Sequence, residues 1–256
     1  LSGALARGEV KHNPLKATDL LFQNVIPGNG LGAFNSPYLN VRVQGGAQDG
    51  VAKGSLGGRV VILKGLNDQG YRVDGSVGKG FGYGAIGGTF IIQGDADSRC
   101  GIRLSGANII VGGEITEPID DTLGCLGARA NIKGFAFEYM TSGRALVLGD
   151  PGPWMCAGMT GGIIYVKLTP EMKLDRAAIQ RRIGRGANVA VADIHEKDKQ
   201  NITELLTIYI GELANSDQHA EAERIERLVK DMWEDKQSFV KVVPTNQQVD
   251  QTIATE

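Results

Sequence analysis

The run Gly82-Tyr-Gly-Ala-Ile-Gly-Gly-Thr-Phe-Ile-Ile-Gln-Gly-Asp95 admits two readings. Its first half carries G-x-G-x-x-G at Gly82, Gly84 and Gly87, the spacing of a loop that cradles dinucleotide phosphates. Such a loop works between a strand and a helix, and the helix N-terminus holds the pyrophosphate. Here the glycines are followed by Thr89-Phe-Ile-Ile-Gln93, a strand pattern. Gly87 and Gly88 are therefore read as a corner that opens a strand.

The same unit, a small-residue turn and then a short apolar strand, recurs along the chain. It appears as LGGRVVILKG from Leu56, IGGTFIIQGD from Ile86, LSGANIIVGGE from Leu104, MTSGRALVLGD from Met140 and MTGGIIYVK from Met159. The last turn glycines, Gly58, Gly88, Gly106, Gly143 and Gly162, are 30, 18, 37 and 19 residues apart. A unit of 18–19 residues accounts for these steps, with an insertion (VDGSVGKGFGY) in the first and a degenerate copy (LGARANIKG from Leu126) in the third. Counted from those glycines, the fourth position reads Ile62, Ile92, Ile110, Val147, Val166. Positions two and four of a strand share a face, so a fixed aliphatic column implies stacked strands. The predicted fold is mostly β, a single-stranded parallel β-helix with a C-terminal α-helical segment. The third position, Val61, Ile91, Ile109, Leu146, Tyr165, forms an outward apolar column, to be covered by the chain's own helices or by a partner.

Glycine supplies 37 of 256 residues, nearly all before residue 163, which fits corners confined to the repeat region. Net charge is −2, giving no electrostatic case for a nucleic-acid or anionic-membrane partner. No apolar run reaches the ~18 residues a membrane span needs, and no signal peptide is visible in a sequence that begins at Leu1. Cys100, Cys125 and Cys156 are odd in number and lack C-x-x-C, which points to reduced thiols in a cytoplasm.

After Lys167 charge rises and glycine falls away. A short helix is expected between Pro170 and Gly184 or Gly186, then a strand in ANVAVADI. Ile202, Leu205, Leu206, Tyr209, Ile210 and Leu213 mark one face of a helix, with Asn201 and Glu204 as its capping pair. A second helix is expected near Asp217–Glu234, then an extended SFVKVVP. The expected organisation is 1–168 as repeat region, 169–244 as a helical tail packing on it or capping it, and 245–256 as a flexible tail.

VLGDPGPWMCAGMTGGIIYV (147–166), EYMTSG (138–143), GDADSRCGIRLSGANIIVGG (94–113) and the closing FVKVVP resemble the C-terminal GXGXG domain of the glutamate synthase large subunit. The family's G-x-G-L-S-G-G stands here as Gly101-Ile-Arg-Leu-Ser-Gly-Ala107, with Arg103 and Ala107 where glycine is usual, a departure that points to a divergent branch. The resemblance covers roughly residues 20–244. It implies a right-handed β-helix without catalytic residues, packed between a glutaminase domain and an FMN/iron–sulfur synthase domain. It therefore implies a free-standing structural subunit whose partners are glutaminase-like and FMN-dependent synthase-like chains, with FMN and the iron–sulfur cluster in those partners. A similar subunit occurs in formylmethanofuran dehydrogenase, and N-methylglutamate synthase-type enzymes are similarly split; both stay open as alternatives.

No catalytic, cofactor-binding or metal residue is assigned from the sequence. Spacings of 25 and 31 between the cysteines lack the local clustering of iron–sulfur ligands. His12, His195 and His219 are scattered, and Asp193–Glu196 (DIHE) reads as a solvated loop rather than a metal site. The pairs Asp95/Asp97, Glu114/Glu117 and Asp120/Asp121, with Arg99 and Arg103, raise a remote alternative, a polysaccharide lyase or hydrolase. Aromatics at 6% argue against a sugar-binding groove.

Overall fold

The computed structural model describes Gly3 and residues 17–121, 129–234 and 238–245. Seven strands run parallel in chain order: β1 (Thr18–Val25), β2 (Leu39–Gly45), β3 (Leu56–Leu63), β6 (Gly87–Ile92), β7 (Ser105–Val111), β8 (Ser142–Val147) and β9 (Ile163–Lys167). A small antiparallel pair, β4 (Gly65–Leu66) and β5 (Arg72–Val73), interrupts the series after β3. At the far edge the chain reverses. Strand β11 (Phe239–Pro244) lies antiparallel between β9 and β10 (Val189–Asp193), closing a nine-stranded mixed sheet. Among the described residues three α-helices follow: α1 (Arg176–Arg182), α2 (Glu196–Ala214) and α3 (His219–Glu234).

This corrects the expected mostly-β parallel β-helix. The architecture is an α/β-type, mostly parallel mixed sheet with the two long helices, α2 and α3, against one face. The reason lies in the connections. Opposite the sheet, the described residues make single bridges, such as Ala47 to Val77, Val77 to Ala96 and Ala96 to Ile132, in place of continuous strands. The degenerate copy near Leu126, where its residues are described, supplies one of these bridges. β7 pairs directly with β8, with no strand between them.

The glycine-rich corners take another form. Positive φ recurs at alternate residues: 30, 32, 34; 50, 52, 54; 80, 82, 84; 99, 101, 103; 135, 137, 139; and 154, 156, 158. In the four inner triplets the outer two residues donate toward the next turn and the middle one toward the preceding turn. Thus Gly80 donates to Ser98 and Gly84 to Ile102, whereas Gly82 donates to Val51. A backbone alternating in hand cannot continue a β-ladder. At Gly101 glycine is also required by space, because a Cβ would lie 2.4 Å from the Phe137 ring.

Both sheet faces are buried, which is why the strands read as continuous apolar runs such as VVIL and FII. One face, with Val60, Ile62, Phe90, Ile92 and Val111, packs against the turns and bridges. The other presents Val61, Ile91, Ile110, Leu146 and Tyr165 to Ile202, Leu205, Leu206 and Tyr209 of α2 and Ile225 of α3. The outward column is thus covered by the chain's own helices. Its membership differs from the count at one strand. β7 carries an extra residue between Ser105 and Asn108, so Ile110 aligns with Ile91 and Leu146, and Val111 takes the place expected for Ile110.

The helix boundaries also move. Helix α2 starts at Glu196, where His195 is the N-cap and Asp198 accepts from the His195 backbone N–H at 2.9 Å. Asn201 and Glu204 are therefore inside the helix, and both accept from the Arg144 guanidinium. The short helix expected from Pro170 splits into a 3₁₀ turn, Pro170–Met172, and α1, capped by the Asp175 carboxylate on the Ala178 N–H at 2.7 Å. Thr245 is described; the rest of the expected flexible tail lies outside the described residues.

Candidate functional site

Five of the expected acidic positions, Asp95, Glu114, Glu117, Asp120 and Asp121, converge. Asp95, Glu114 and Asp150 follow the glycines that close β6, β7 and β8, so successive strands deliver a carboxylate to the same end of the sheet. With Glu117, Asp120, Asp121, Asn131, Arg129 and Arg182 they line a cavity of about 210 Å³. The carboxyl ends of parallel strands are where open α/β sheets place ligands, which makes this cavity the first candidate.

Its chemistry is that of a clamp. The buried Asn131 amide donates to Asp95 at 2.7 Å and to the Glu114 carbonyl at 3.1 Å, while its oxygen accepts from the Asp150 N–H at 2.8 Å. Arg182, fully buried, grips Asp150 through two nitrogens at 2.7 and 3.0 Å and reaches Asp121 at 2.9 Å. Burial alone would lower the Arg182 pKa; Asp150 and Asp121 outweigh it and hold the charge above the ordinary arginine value. Burial also pushes the Asp121 carboxyl up, but hydrogen bonds from Arg182 and Arg181 prevail and hold it below the usual aspartate value. Glu114 takes Lys167 at 2.8 Å and Arg224 at 2.7 Å, and Glu117 takes Arg129 at 3.4 Å. These carboxylates are engaged by cations and amides, and the arrangement pins the 112–121 segment across the strand ends. A glycosidase needs one carboxyl kept protonated beside one ionised; Asp121 is driven the opposite way.

The other candidates are dispersed. Gly82 and Gly84 spend their N–H groups on Val51 and Ile102, and strand β6 follows Gly87, so the motif cannot cradle a phosphate. Cys100 and Cys156 are buried among apolar side chains. Burial pushes the Cys100 thiol up to about 12 and raises Cys156 likewise, the opposite of what a thiolate ligand to iron requires. Cys125 and His12 lie outside the described residues. Asp193 pairs with Arg176, His195 caps α2 and His219 opens α3. Asp97 accepts from the Ser98 N–H, and Arg99 and Arg103 sit at positive-φ turn positions on the outer surface. Among the described residues no group of three or more His, Cys, Asp or Glu could hold a metal ion. No helix among them is long and apolar enough to cross a membrane.

Asn131, Asp150 and Arg182 escaped the sequence reading. A signal existed for one of them: Gly94-Asp95, Gly113-Glu114 and Gly149-Asp150 place an acid directly after each strand-closing glycine.

A chain whose strands are joined by alternating left-handed turns, with glycine at G-x-G-x-G spacing, belongs to a defined class. The GXGXG motif family model matches residues 9–119 and 127–245, and the chain belongs to that family. Its relatives are glutamate synthases. It is 32% identical over 86% of its length to the glutamate synthase [NADPH] large chain of Bacillus subtilis, covering 12% of that protein. It is 30% identical over 89% of its length to the glutamate synthase [NADH] of Schizosaccharomyces pombe, covering 9% of it. Over 60% of its length it is 34% identical to the ferredoxin-dependent glutamate synthase 2 of Arabidopsis thaliana, again 9% of that protein. The chain thus spans about a tenth of the length of the relatives it matches.

Proposed function

We propose that this chain is a non-catalytic structural subunit of a glutamate synthase-type assembly in the cytoplasm. In this reading it holds together a glutaminase-like chain and an FMN-dependent synthase-like chain, and those partners carry the FMN and the iron–sulfur cluster. One observation carries the reading. The chain matches its family almost end to end and accounts for 9–12% of the glutamate synthases it resembles, which supports a role as one part of a larger assembly. The tied-down acidic cavity and the buried, protonated thiols support a structural role. Purified alone, the chain should show no flavin absorbance and release no ammonia from glutamine. Purified from native cells, it should bring both partner chains with it. A flavin spectrum or glutaminase turnover from the isolated chain would overturn the proposal.

A further inference from the structure

The outer surface of the left-handed turns is unlike the rest of the molecule. Side chains at the first position of each triplet point outward, as Arg99, Phe135 and Trp154 do. At three successive turns that position is glycine, Gly30, Gly50 and Gly80, and the last two lie side by side under one opening. The missing side chains leave an open trough of about 500 Å³, walled by Lys53, Lys79, Tyr83, Ser98, Arg99 and Phe135. Lys53 stands 5.3 Å from the Tyr83 ring, and Phe135 stacks on Trp154 at 5.0 Å, so the aromatic walls are held in place.

The charge in this trough is one-sided. Lys53, Lys79 and Arg99 are all exposed and no carboxylate lines it, in a chain whose net charge is −2. The nearby acids are spent on backbone: Asp49 accepts from the Lys79 N–H at 2.8 Å and Asp97 from the Ser98 N–H. Glu138 lies in the field of Arg99 without a hydrogen bond to it. A small ligand would be enclosed over most of its surface, whereas this trough is open along its length and suits an extended chain. Three cations in the trough are few for a nucleic-acid backbone.

We infer that the trough over Gly50 and Gly80 docks an extended acidic segment of a partner protein. Carboxylates would meet Lys53, Lys79 and Arg99, and an apolar side chain would rest on Tyr83 and Phe135. The inference rests on the structural-subunit reading above and names the surface by which one catalytic partner is held.

The test is photo-crosslinking of the full chain in its source cells. p-Benzoylphenylalanine is placed at Tyr83, in the trough, and separately at Glu226, exposed on α3 across the sheet. The Tyr83 probe should crosslink a partner peptide rich in Asp and Glu. The pair Lys79→Glu and Arg99→Glu should cut that yield at least tenfold. Gly80→Asn, which fills the trough without changing charge, should do the same, since asparagine tolerates positive φ. Thermal unfolding of each variant verifies that it is folded. A neutral or basic peptide, a nucleic-acid adduct or an unchanged yield in both variants overturns the inference. If the Glu226 probe finds a partner chain and the Tyr83 probe finds none, the trough fails and the structural-subunit reading stands. If neither probe crosslinks and the chain elutes alone, both fail.

Discussion

Two buried tyrosines on the helix-facing side of the sheet separate satisfied from unsatisfied polar groups. The Tyr165 hydroxyl donates to Asp198 at 3.1 Å and accepts from Asn201 at 3.0 Å, and Asp198 also holds Lys241 at 2.7 Å. The Tyr209 hydroxyl is buried without a partner, close to where a side chain on Gly112 would sit. Removing one member of a buried network costs about 1–3 kcal/mol, whereas removing an unpaired hydroxyl costs little. Tyr165→Phe should therefore lower the thermal midpoint clearly, and Tyr209→Phe should leave it unchanged or raise it; equal shifts would refute the assignment. At this scale the sequence spoke through column identity and failed at one count. The apolar columns were legible because β-branched residues recur at fixed distances from glycine. Ile110 was misplaced because one extra residue in β7 turns every later side chain to the opposite face.

Helix α2 is bolted to the sheet at both ends. Near its C-terminus the buried Glu212 accepts from Arg42 at 2.7 Å and Arg59 at 2.6 Å; near its N-terminus Asp198 holds Lys241 at 2.7 Å, and at mid-helix Arg144 reaches Glu204 at 2.8 Å. Glu212→Ala leaves two arginines without their shared carboxylate. Because both arginines keep partial access to water, the loss should fall at the lower end of the roughly 3–5 kcal/mol typical of a broken buried pair, read by urea unfolding. Arg224 ties helix α3 to Glu114 at 2.7 Å and pairs within the helix with Glu221 at 2.8 Å. The hydrogen bond from Arg224 outweighs burial and holds the Glu221 carboxyl below its ordinary value of 4.5. A depressed folded pKa contributes stability above the unfolded value, and that contribution is lost as pH falls through the folded value. Glu221→Gln should thus be destabilising at pH 7, and the difference from the wild type should shrink only as pH falls below 4.5 and through the depressed folded value, followed by thermal unfolding against pH. Both helices were legible from their apolar periodicity, but the start of α2 was not. Asn201 and Glu204 have the spacing of a cap, yet His195 and Asp198 make the cap, and only tertiary contact with Arg144 shows where the other pair is used.

At the scale of the molecule, the repeat was legible and its form was not. Glycine spacing marks corners equally well for strand–turn–strand units and for turns of alternating hand. Phe135, Phe137, Tyr139 and Cys156 hide the second pattern further, because they adopt positive φ without being glycine. The closing strand was visible as an extended FVKVVP, but its insertion between β9 and β10 depends on contacts 72–78 and 47–55 residues apart in sequence. That insertion bears on how the glycine-rich and charged parts depend on each other. Without residues 169–245, β9 would present a bare edge in place of its pairing with Phe239–Val242. Val61, Ile91, Ile110, Leu146 and Tyr165 would lose the α2 and α3 side chains that cover them. An unpaired edge beside a wide apolar face is a template for aggregation. A fragment of residues 1–168 should therefore fail to yield a soluble monomer with a cooperative unfolding transition, whereas the full chain should unfold in one step. Size-exclusion chromatography and calorimetry of the two would decide it. A monomeric, cooperatively folding fragment would show that the parallel strands and their turns are self-sufficient and that the tail only decorates them.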